Sequence, residues 1–106
     1  MSWQADAMTS TTEIAARLHP ELQALRRELH ADPELGNDNP RTQARILAAL
    51  DGLDLEITTG EAVTSVVAVL RGRAEGSGER PIVLLRGDMD GLPVTEATGQ
   101  PFASTT

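Results

Sequence analysis

The chain has 106 residues, a formal net charge of −7, a sequence pI near 4.6 and no cysteine. That length suits one small domain, and the missing thiols exclude both a disulfide frame and a thiolate metal site within these residues. All nine basic residues are Arg, and they form no cluster, so nucleic acid and anionic membrane surfaces are poor partners for this acidic chain. No apolar run approaches the roughly 20 residues of a membrane helix, and the start lacks a secretory pattern. The default expectation is a soluble, cytoplasmic protein with no membrane partner, its all-Arg usage suggesting a G+C-rich bacterial source.

Residues 1–9 read as a disordered lead-in, and residues 10–106 as one domain. Ser10-Thr11-Thr12-Glu13 fits a capping box, and Ile14, Leu18, Leu22, Leu25 and Leu29 follow at one-stripe helical spacing. Pro20 predicts a kink or a restart. Neither His19 nor His30 has a His or carboxylate at the spacing of a helical metal motif. His30 reads as a helix-end residue meeting the last carbonyls, and His19, before Pro20, as a boundary residue. Asp32-Pro33-Glu34-Leu35-Gly36 turns the chain. Asn39 as cap and Pro40 at the first helical position open a second helix, which carries Ile46, Leu47 and Leu50 and ends at Gly52.

The period then changes. Leu53 to Thr58 alternates, predicting a short strand with one wet face. Ser65 to Leu70 and Ile82 to Leu85 are unbroken apolar runs, predicting buried strands. The loop Gly72–Arg80 is too short for a helical crossover, so these two strands are expected to pair as an antiparallel hairpin. After the last run, Arg86-Gly87 leads to Asp88 and Asp90. Residues two apart in extended chain share a face, so two carboxylates would stand together at the C-terminal end of a buried strand, where α/β sheets build ligand sites. Such a pair can hold a metal, orient a metal ligand or act as acid and base. The plain alternative is a solvated Asp-Gly turn. No glycine-rich phosphate loop, nucleophile elbow or aromatic platform is present.

Four blocks carry a family resemblance. Arg26 to Gly36 with Thr42, then Thr64 to Leu70, Leu85 to Pro93, and Pro101 to Ser104 resemble, in order, the opening part of the metal-dependent N-acyl-amino-acid amidohydrolases. These are the hippurate-hydrolase-like and indole-acetyl-amino-acid-hydrolase-like members of the aminoacylase and carboxypeptidase-like metallopeptidases. The chain departs from the family pattern at Asp38 and Asn39, at Ser65 and at Gly91.

The resemblance implies an α/β fold: two N-terminal helices and the first three strands of a mixed sheet, an incomplete metallopeptidase catalytic domain. It implies hydrolysis of the amide bond of N-acyl amino acids with a divalent metal, zinc or manganese, in the full-length enzyme. The family's metal ligands and general base fall beyond residue 106, so this segment alone is expected to bind no metal and to be inactive. Asp90 matches the family Asp that steadies the metal site by orienting a ligand. Asp88 stands where the wider group has a His, its role open between steadying the site and satisfying turn donors.

Two rivals complete the reading. Asp88-Met89-Asp90-Gly91 looks like the nucleophile loop of haloacid-dehalogenase-like phosphatases, but lacks the Thr after Gly and lies far from the N-terminus. A non-catalytic interaction domain is the other. Either way the uncovered apolar runs predict association, with a homo-oligomer as one outcome.

Overall fold

The computed structural model describes residues 10–76 and 78–105; the expected lead-in at residues 1–9 lies outside them. In chain order the elements are α1 (Thr11–Ala31), α2 (Pro40–Leu50), β1 (Glu56–Thr59) and β2 (Val66–Val69). They fall into two compact units, one formed by residues 10–33 with 92–105 and the other by Glu34–Gly91.

In the first unit, α1 starts as the capping box predicts. Ser10 is extended, and its hydroxyl accepts from the Glu13 N–H at 3.1 Å, satisfying one donor that the first helical turn cannot pair internally. The helix runs unbroken for 21 residues through Pro20, so no restart occurs. Pro20 is exposed, and the carbonyl it leaves without an intrahelical donor can be met by water there. Ile14, Leu18, Leu25 and Leu29 are half-buried while Leu22 is exposed. The segment 92–105 forms no helix or strand, yet it is tied back to α1 by the Thr105 N–H donating to the Ala31 carbonyl at 3.2 Å.

In the second unit, β1 and β2 pair antiparallel with Glu56 opposite Val69 and Thr59 opposite Val66. This corrects the expected pairing, because β2 joins the strand before it rather than Ile82–Leu85. The turn between them is closed locally: the Gly60 N–H donates to the Ser65 carbonyl at 3.2 Å and the Ser65 N–H to that of Val63 at 2.9 Å, which sets the register of β1 against β2. A methyl at Gly60 would overlap the Val63 carbonyl and the Ser65 hydroxyl. Gly60→Ala is thus expected to lower stability by about 1–3 kcal/mol, the cost of forced backbone movement, measurable as a shifted denaturation midpoint.

The third predicted strand is absent among the described residues. Ile82, Val83, Leu84 and Leu85 form no ladder and are 82–95% exposed, since neither a neighbouring strand nor a covering helix meets them. β1 is exposed throughout, and β2 exposes all but Val66. Arg71 spans the hairpin to Glu56 with two bonds of 3.2 and 3.1 Å, but water screens so exposed a pair and it adds little to stability. α2 packs on β2 and stops where Gly52 takes a left-handed φ of 82°, the conformation a helix-ending glycine adopts without steric cost. No apolar side chain among the described residues is fully withdrawn from water; the buried residues are Glu34, Asn39 and Thr42.

Candidate functional site

Those three polar residues sit together at the start of α2. Asn39 occupies the cap position and Pro40 follows it, as the sequence suggests, but the Asn39 side chain does not cap. Its Nδ2 donates instead to the Gly36 carbonyl at 2.8 Å, closing a turn in which Gly36 is left-handed, φ 69°. The cap comes from eight residues before the third helical position. Glu34 Oε1 accepts from the Thr42 N–H at 2.6 Å and from the Thr42 hydroxyl at 2.9 Å, while Oε2 lies 3.4 Å from the Arg41 guanidinium. A carboxylate at a helix N-terminus both satisfies orphan donors and opposes the macrodipole.

The ionisation of Glu34 follows from this setting. Burial, the largest single influence, pushes its carboxyl up. The Thr42 N–H and hydroxyl, the Arg41 N–H and the Arg41 charge together outweigh it and hold the group below the usual carboxylate range.

The loop before β2 is fastened to the same place. Thr64 Oγ1 accepts from the Asn39 N–H at 2.6 Å and donates to the Asn37 carbonyl at 3.2 Å. The Thr64 N–H reaches that carbonyl at 3.1 Å, and Gln43 Nε2 donates to the Ser65 carbonyl at 3.1 Å. From the other side the Gly91 N–H donates to the Glu34 carbonyl at 2.7 Å. These ties enclose an open cleft of about 230 Å³, bordered by Asn37, Asn39, Thr64, Arg86, Asp88 and Asp90 among others. The two acids singled out by the sequence therefore line one cleft. They do so on an irregular loop rather than at the end of a buried strand. Both are exposed, and Asp88 Oδ1 pairs with Arg86 Nη2 at 2.7 Å.

Two carboxylates can accept hydrogen bonds or orient a neighbouring donor. Among the described residues no three His, Cys, Asp or Glu side chains converge as a metal site would require. This donor set does not by itself fit a divalent ion.

The first unit holds a second polar centre. His30 Nε2 meets Glu96 Oε1 at 2.5 Å, correcting the expectation that His30 serves the last carbonyls of α1. Thr98 Oγ1 donates to Glu96 Oε2 at 2.6 Å and the Ser104 N–H to Oε1 at 3.3 Å. Phe102 stands edge-on to the His30 ring, centroids 5.8 Å apart, with the Arg27 guanidinium 4.6 Å over its face. Glu96 is held below the usual carboxylate range, first by the Thr98 hydroxyl, with partial burial opposing, then by the Ser104 N–H and by His30. His19 is exposed on α1.

Sequence reasoning missed the roles of Glu34 and Glu96. Glu34 carried one signal, an acid after Pro33 and eight residues ahead of a helix-start Thr. Glu96, 66 residues from His30, carried none.

No family model and no solved structure matches the chain. It is 38% identical over 92 residues to a probable hydrolase of Synechocystis sp.. It is 37% identical over 84 residues to the N-acetyldiaminopimelate deacetylase of Oenococcus oeni, and 37% over 87 residues to the N-acetylcysteine deacetylase of Bacillus subtilis. These alignments take in 86%, 79% and 81% of this chain and 22% of each relative. The chain thus spans about a fifth of the length of the curated relatives it matches.

Proposed function

We propose, on the premise that this chain is a relative of the amidohydrolases that deacetylate N-acyl amino acids, that it belongs to the catalytic part of such an enzyme. The observation that carries the reading is identity of 37–38% to hydrolases of this kind over about four-fifths of the chain. The substrate class would be an N-acylated amino acid or a short amide conjugate, and the compartment the cytoplasm. No helix among the described residues is long and apolar enough to cross a membrane.

The metal, zinc or manganese, is proposed for the whole enzyme, with its donors among the four-fifths of the relatives' length that this chain does not span. The role assigned to this chain is narrower. Its α2 start, Thr64 loop and Asp88–Asp90 loop form one face of the site, and Asp90 is the acid that orients a metal-binding side chain by accepting its N–H. Asp88 pairs with Arg86 within the same loop.

The test is acetate release from N-acetyl-L-cysteine and N-acetyldiaminopimelate by the longest product of the gene, with and without Asp90→Asn. The expected loss is roughly 10–100-fold in kcat, as for other groups that orient a metal ligand. Undiminished turnover in Asp90→Asn would remove Asp90 from the site, and absence of amide hydrolysis in the parent would remove the function.

A further inference from the structure

Glu34 holds two parts of its unit at once. Its side chain is occupied by the first turn of α2, accepting from the Thr42 N–H and hydroxyl and facing the Arg41 guanidinium. Its backbone carbonyl accepts from the N–H of Gly91, the residue that follows Asp90. We propose that Glu34 is the positioning residue for Asp90, clamping the Asp88–Asp90 loop to the start of α2 so that the acid keeps its place on the cleft. This rests on the reading above, in which Asp90 is the site acid.

The physical argument is one of fixed points. A carbonyl can place a neighbouring loop only if its own peptide is immobile. Glu34 is 7% exposed. It follows Pro33, whose ring fixes φ, and precedes the turn that Gly36 and Asn39 close. The carboxylate adds charge-assisted bonds to a helix turn, roughly twice as strong as neutral ones. Asp90 lies one Cα step, about 3.8 Å of chain, from the anchored Gly91. Without that anchor, the exposed Arg86–Asp88 pair is a weak tether for the loop. A residue that merely capped α2 would not need its carbonyl aimed at this loop.

Amide hydrogen exchange by NMR on the 106-residue chain tests the clamp without substrate. Glu34→Gln keeps the side-chain shape and removes the charge. The expected result is exchange roughly tenfold faster at both Thr42 and Gly91, the scale of one lost charge-assisted bond. The Gly60 amide, bonded to Ser65 in the hairpin turn, should keep its rate. Thr42→Val, which deletes only the hydroxyl donor, should move Gly91 in the same direction, and Thr42→Ser should restore it.

Faster exchange at Thr42 with Gly91 unchanged would overturn the proposal and leave Glu34 a helix cap. If Glu34→Gln loses the helical circular dichroism of the whole chain, the Thr42→Val and Thr42→Ser pair decides by the same Gly91 readout. Failure of the reading above shows elsewhere, as no amide hydrolysis by the parent or as undiminished acetate release in Asp90→Asn, and is distinguishable because exchange at Gly91 needs no turnover.

Discussion

Acidification from pH 7 toward pH 3 is expected to loosen both units of the chain, each through one carboxylate. Glu34 and Glu96 are both held below the usual carboxylate range in the folded chain. For Glu34, burial works in the opposite direction and is overcome by the Thr42 and Arg41 donors; for Glu96, the Thr98 hydroxyl leads. A group whose folded pKa lies below its unfolded value binds fewer protons folded than unfolded. Its contribution is complete above the free Glu value of about 4.3 and is lost as pH falls through the lower folded value.

Protection of the Thr42 amide and of the Ser104 amide should therefore fall together below about pH 4, each by roughly tenfold. Glu34→Gln should abolish the pH step at Thr42 alone, and Glu96→Gln the step at Ser104 alone. Amide protection that stays flat to pH 3 at both positions would show that neither carboxylate is the fastener.

Self-association of the isolated chain is the second large effect. Ile82 to Leu85 present four consecutive apolar side chains, 82–95% exposed, and Val67 and Leu70 add to them. Burying even two such side chains favours association by about 3–6 kcal/mol before the entropy of association is counted. Sedimentation should therefore show mass rising with concentration, and the dye ANS should brighten on the chain. Because residues two apart share a face in extended chain, Ile82→Glu with Leu84→Glu should reduce both signals together. A strictly monomeric chain with no dye response would mean the run is covered in solution.

The sequence was informative wherever one residue's chemistry decides a local conformation. Ser10 accepts the bond expected of an N-cap, Pro40 opens α2 and Gly52 ends it, because caps and left-handed turns depend on the residue at one position. The acid pair was likewise legible, and both members reach one cleft. Pro20 misled, since a proline penalty is tolerable on an exposed helix face. Ile82–Leu85 misled for a different reason. Apolar composition says that a segment needs cover, but a strand exists only where another backbone pairs with it.

What the chain's residues determined on their own is thus the local grammar: two helices, their starts and stops marked by Ser10, Pro40 and Gly52, and two acids placed two apart. The tertiary structure alone decided that β2 pairs with β1, that Glu34 caps a helix from eight residues away while its carbonyl anchors Gly91, and that His30 finds Glu96. Local preference acts through neighbouring dihedrals, whereas these contacts depend on which distant donors and acceptors the folded backbone brings within about 3 Å, and no short window of sequence contains both partners.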